Sequence, residues 1–184
     1  LFLGPKTFNG YAHALISNPL VVVIEVGLLA IFVVHVWKTS VMWWRNRQAR
    51  PAKYAQKRWA GPPSRKSAAS TTMIYTGLLT AVFVVFHVKV FKYGPAADLA
   101  GQRDLYGLVV GFFRDPLNVA LYEVCLVLVG LHLWHGFSSA FESLGADEPR
   151  YTPAVRLLGK ILAVVIAGGF VFIPLWAFFL GGRS

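Results

Sequence analysis

Cysteine is almost missing from this 184-residue chain: the sole thiol, Cys125, has no partner for a disulfide or a thiolate metal site and reads as a small apolar residue. Acids are scarce too, 8 against 18 lysines and arginines, for a formal net charge of +10. Charged residues of both signs make up only 14% of the sequence, whereas a soluble domain carries roughly a quarter. That share excludes an ordinary water-soluble core. The excess of base does not point to nucleic acid, because the basic residues gather mainly in one segment between two apolar blocks. There they set topology, face anionic lipid or dock an acidic soluble partner. The opening Leu1 to Pro5 has no charged n-region, so no cleavable signal peptide is read, and no initiator methionine is present.

What fills the chain instead is apolar: 56% hydrophobic residues and a mean hydropathy of +0.56. Four blocks emerge, Pro19 to Trp44, Ser70 to Phe91, Pro116 to Phe141 and Ala154 to Leu180. Each reaches the ~20 residues that span a bilayer core. The expected fold is all-α, a transmembrane helical bundle forming a single domain over residues 1–184. The segment from Arg45 to Lys66 holds eight basic residues and no acid, which by the positive-inside rule places it in the cytoplasm. Leu1 to Ser17 and the terminal Arg183-Ser184 then lie outside. The connection from Lys92 to Asp115, broken by Gly94, Pro95, Gly101 and Gly107, reads as an external loop with room for a short interfacial helix. The opening Leu1-Phe2-Leu3-Gly4-Pro5 reads as the tail of an apolar helix, giving the expectation of a truncated first helix and five helices in the natural chain.

Two of the blocks repeat one frame. Asn18-Pro19-Leu20 leads to His35-Val36-Trp37, and Asp115-Pro116-Leu117 leads to His132-Leu133-Trp134, with proline and histidine sixteen positions apart in both (35 − 19 and 132 − 116). Each also carries a Glu-Val pair, Glu25-Val26 and Glu123-Val124. If both helices begin at their prolines, His35 and His132 lie at one depth, about 24 Å along the helix. Two imidazoles facing each other in hydrocarbon suit a six-coordinate haem iron. Zinc suits them less, since structural zinc normally takes four ligands, usually including thiolates.

Ionisable side chains inside a bilayer are costly and mark function, although a histidine there can also serve only to hydrogen-bond a neighbouring helix. His87 lies roughly five residues from the external end of its block, while His35 and His132 lie about nine from their cytoplasmic ends, which makes two levels. His135 shares a helical face with His132. Two histidines from one turn cannot approach opposite faces of one porphyrin, so only one of them is a ligand. His132 is taken as the ligand because it matches His35, with Gly130 and Gly136 leaving space for a flat macrocycle, and His135 is left to a haem propionate or a quinone. His13 precedes Pro19 and reads as a surface or interfacial residue, with the alternative that it opposes His87 from the outer side. Glu25 and Glu123 could relay protons to an outer quinone or propionate, or snorkel to the interface.

Several segments together resemble the dihaem cytochrome b membrane anchor of succinate:quinone oxidoreductases, the single-anchor five-helix type of succinate dehydrogenases and fumarate reductases. They are Gly4-Pro5-Lys6-Thr7-Phe8-Asn9 with Tyr11-Ala12-His13, Thr76-Gly77-Leu78-Leu79 through Phe86-His87-Val88, and Leu131-His132-Leu133-Trp134-His135-Gly136-Phe137-Ser138-Ser139-Ala140-Phe141. The resemblance covers nearly the whole chain, and the last motif is the most specific. It implies an inner haem b held by His35 and His132, and an outer haem b held by His87 and by a histidine of a helix before Leu1. It departs at Gly130, where some fumarate reductase anchors carry an acid for transmembrane proton transfer, so it implies no such route here.

The implied function is electron transfer in the tricarboxylic acid cycle: a flavoprotein subunit carrying FAD and an iron-sulphur subunit dock on the cytoplasmic face of a bacterial cytoplasmic membrane. Electrons pass through haem b to quinone. The resemblance implies that the chain supplies iron ligands, a quinone pocket and anchorage, and no residue for succinate oxidation itself; the polar candidates for the quinone at the cytoplasmic end are Trp44, Ser64 and Arg65, the last equally suited to a propionate or lipid phosphate. Two other readings stay open: the cytochrome b subunit of a membrane hydrogenase or formate dehydrogenase, and a haem-free membrane scaffold.

Overall fold

A computed structural model describes residues 1–49, 68–99, 101–145, 148 and 150–181. In chain order these form helix α1 (Pro5–Ile16), helix α2 (Pro19–Gln48), helix α3 (Ala68–Phe91), strands β1 (Asp98–Leu99) and β2 (Gln102–Arg103), helix α4 (Leu105–Phe112), helix α5 (Pro116–Ser143) and helix α6 (Thr152–Phe179). The fold is all-α apart from one small antiparallel hairpin, in which Asp98 pairs with Arg103 and Leu99 with Gln102. Four stretches are long and apolar enough to cross a membrane: Pro19–Gln48, Thr72–Phe91, Pro116–Phe141 and Thr152–Phe179. These match the four apolar blocks of the sequence and are consistent with an integral membrane protein.

The repeated frame is a repeated helix start. The Asn18 side chain accepts from the Leu20 amide at 3.0 Å, and the Asp115 side chain accepts from the Leu117 amide at 2.9 Å. In both cases proline follows as the first helical residue, where its missing N–H costs nothing and its fixed φ favours the helix. His35 and His132 are therefore each sixteen residues past an equivalent helix start. At the other end of α2 the helix runs past Trp44 to Gln48 and takes in Arg45 and Arg47, cations that favour a helix C-terminus. Arg47 lies over the Trp43 ring at 5.5 Å.

Contacts divide the described residues into two units, one of residues 10–49 and a larger one of residues 1–9 and those from 68 onward. In the larger unit α5 packs against both α3 and α6. α3 runs antiparallel to α5, since Thr76 meets His132 at one end and Phe91 meets Phe113 and Tyr122 at the other. α6 is also antiparallel to α5: Gly159 lies against Phe137 and Ser138, and Gly130 against Ala167. Small residues at such crossings let backbones approach, the usual way membrane helices associate. The core joins Phe83, Phe113, Val119, Tyr122, Leu126 and Ala177. Pro174 inside α6 is among the most fully buried side chains.

The segment between α3 and α5 is more ordered than its breakers suggest. Asp104 caps α4 by accepting from the Gly107 amide at 2.9 Å, and the same oxygen accepts from the Asn9 side chain at 2.8 Å. Asn9 in turn accepts from the Tyr106 amide at 2.8 Å. Residues 1–9 are thus clasped to α4 at one end, while Phe2 stacks edge-on against Trp176 of α6, with ring centroids 5.1 Å apart. Leu1 to Gly4 form a turn closed by the Gly4 amide on the Leu1 carbonyl at 3.2 Å.

Candidate functional site

The best-defined histidine seat is that of His132. Its Nδ1 lies 3.4 Å from Oγ1 of Thr76 on α3, and Thr76 is buried. The neighbouring Gly77 faces the ring directly: a Cβ built there would stand 3.0 Å from Cε1, 3.5 Å from Nδ1 and 4.0 Å from Nε2. Only a glycine leaves the ring this close to α3.

His87 has a different, aromatic setting. Its ring centroid lies 5.1 Å from Phe91, 5.9 Å from Phe83 and 6.1 Å from Tyr122. Tyr122 is 2% exposed and stands among the rings of Phe83, Phe86, Phe91, Phe112 and Phe113. Three buried polar atoms have no hydrogen-bond partner among the described residues: the Tyr122 hydroxyl, Glu123 Oε1 and Thr80 Oγ1. Two of them are at the level of His87. Unpartnered buried polar atoms are rare and ask for an explanation such as a bound group.

These contacts place the two histidines at separate levels. On α5 the partner of His87, Tyr122, precedes His132 by ten residues, or about 15 Å of helix. On α3 the interval from Gly77 to His87 gives the same ~15 Å. His87 and His132 therefore lie about 15 Å apart along the pair of α3 and α5.

His135 is half-buried, one turn beyond His132 on α5. Nearby, Lys160 of α6 lies 5.5 Å over the Trp134 ring. His35 and Trp44 stand on α2 in the other unit, where the Thr39 hydroxyl donates to the His35 carbonyl at 2.8 Å. His13 is exposed on α1. Ser64 and Arg65 lie outside the described residues, as does most of the basic segment from Arg45 to Lys66. The space expected beside Gly130 is filled: a Cβ there would meet Ala167 at 2.9 Å, because α5 and α6 use that glycine to approach each other. Beside Gly136 stands the flexible end of Met73, at 3.6 Å. Thr76 and Tyr122 are the residues that sequence reasoning passed over. Thr76 begins a motif already singled out, and Tyr122 adjoins Glu123.

His132 brings one ring nitrogen to Thr76. His87 brings an imidazole among flat aromatic walls, with unpartnered polar atoms at its level. Comparison with protein-family models finds no match, nor does comparison with curated proteins or with solved structures.

Proposed function

We propose that the chain is the membrane anchor and electron-transfer subunit of a succinate:quinone oxidoreductase in a bacterial cytoplasmic membrane. It passes electrons from an iron-sulphur subunit through haem b to quinone. One observation carries the reading: imidazoles at two levels about 15 Å apart on one helix pair, with the lower one, His132, sixteen residues past a helix start that α2 repeats for His35.

In this reading His35 and His132 hold the inner haem and His87 is one ligand of the outer haem. The haems supply reversible one-electron transfer, with the protein setting their potentials through ligation, burial and hydrogen bonding. Phe83, Phe91 and Tyr122 give His87, itself exposed, its aromatic neighbours. His135, Trp44, Ser64 and Arg65 are the polar groups assigned to haem propionate and quinone. The basic segment faces the cytoplasm and receives the flavoprotein and iron-sulphur subunits.

A second reading, the haem-free scaffold, draws support from the same Thr76 contact, because a histidine bonded across helices is what a scaffold would use. An absorption spectrum of the protein purified from its membrane separates the two. The electron-transfer reading expects sharp low-spin b-type bands and co-purifying flavin. A featureless visible spectrum would reject it, and bands accompanied by nickel or molybdenum in place of flavin would move the chain to a hydrogenase or formate dehydrogenase.

A further inference from the structure

We propose that the end of α2 carries a seat for one anionic phospholipid, built from Trp37, Trp43, Trp44 and Arg47 on the side of the helix away from His35. The inference needs α2 to cross the membrane and does not depend on haem.

Length brings these residues to the headgroups. Lys38 stands about 28 Å along the helix from Pro19, close to the ~30 Å thickness of the hydrocarbon core. Trp43 stands at about 36 Å, among the headgroups. Tryptophan suits this level because its ring is apolar and its N–H is wet, and Trp37, Trp43 and Trp44 are all exposed. At 3.6 residues per turn, Trp37, Ser40, Trp44 and Arg47 follow one another at intervals of three and four, with Trp43 beside Arg47, so they share one face about 120° wide. His35 stands about 140° round from the middle of that face, which leaves it to the bundle in the electron-transfer reading.

Arg47 supplies charge at the right depth. A helical side chain lies over the turn before its own Cα, and the Arg47 guanidinium accordingly sits 5.5 Å over the Trp43 ring. Lys38 is held in a similar way at the hydrocarbon edge, its amine 5.3 Å over the Trp37 ring. A guanidinium fits two phosphate oxygens at once, and indole N–H groups donate to the ester oxygens beside them. Charge selects the class of lipid. No Asp or Glu occurs from Val26 to Ala97, so the cation of a choline or ethanolamine headgroup meets only like charge along α2 beyond Glu25. An acidic protein would answer the same charge, but tryptophans ranged along the edge of the hydrocarbon favour a molecule with acyl chains.

The test uses the purified full chain in detergent, titrated with phosphatidylglycerol or phosphatidylcholine and read by native mass spectrometry, which counts each bound lipid. The parent protein is expected to hold its first phosphatidylglycerol more tightly than phosphatidylcholine. Arg47→Gln is expected to weaken that first adduct by about five-fold, the worth of one basic residue at an anionic surface. Trp43→Leu, which removes the ring under the guanidinium, is expected to weaken it as well. Arg45 lies about 160° round the helix from Arg47, so Arg45→Gln should leave the adduct unchanged. Equal losses in Arg45→Gln and Arg47→Gln would mean diffuse attraction to the whole basic segment and would overturn the seat, as would a parent protein that does not discriminate the two lipids. A parent-like adduct in Arg47→Gln also overturns it, and weakened binding of soluble subunits in that variant would assign Arg47 to an acidic protein instead.

Discussion

The rings of His87 and Tyr122 lie 6.1 Å apart across the contact between α3 and α5, and Tyr122 is 2% exposed. That one pairing fixes the register of the helix pair at the end nearer α4. It also sets His87 about 15 Å along the bundle from His132. Its hydroxyl has no hydrogen-bond partner among the described residues.

Substitution at Tyr122 separates packing from the hydroxyl. Tyr122→Ala removes the ring at the centre of the aromatic cluster and should lower stability by on the order of 3 kcal/mol. Tyr122→Phe keeps every ring contact and removes an unpartnered buried hydroxyl, whose burial costs about 1–3 kcal/mol. Thermal unfolding of the purified protein in detergent should place the Phe variant at or above the parent. A Phe variant as unstable as the Ala variant would mean that the hydroxyl is bonded in the folded protein.

Gly130 and Ala167 should behave as a pair. A Cβ on Gly130 would come within 2.9 Å of the Ala167 Cβ, so Gly130→Ala should destabilise the protein by about 1–3 kcal/mol through overpacking. Adding Ala167→Gly should recover most of that loss, a coupling that a double-mutant cycle reads directly. Additive effects of the two changes would show that α5 and α6 do not meet there.

Topology is testable at Gln56, in the middle of the basic segment. In a Cys125→Ala background, a cysteine introduced at Gln56 should resist an impermeant thiol reagent in intact cells and react after the cells are opened. Labelling in intact cells would put the segment outside and reverse the orientation.

The long helices were legible because run length and hydropathy report membrane-crossing length directly, and because Asn18-Pro19 and Asp115-Pro116 announce where two of them begin. The end of α2 was less legible. Hydropathy falls at Trp44, whereas the helix continues through Arg45 and Arg47 to Gln48, since arginine is a good helix former and suits a C-terminus. β1 and β2 are too short to carry a periodic signal, and their hairpin emerged only in the structure. Gly130 illustrates a deeper limit. A glycine in a membrane helix tells that something comes close, and here the neighbour is α6 and not open space for a macrocycle. Thr76 was unreadable as a partner for His132 because a contact across 56 residues follows from how α3 packs on α5. No local pattern encodes it.

The central claim is that His35 and His132 ligate one haem, and low-temperature EPR of the purified complex from single alanine variants tests it most directly. His35→Ala and His132→Ala should each abolish the same low-spin signal, while the signal that depends on His87 persists in both. Normal low-spin signals in both variants, or the loss of different signals in the two, would contradict the account.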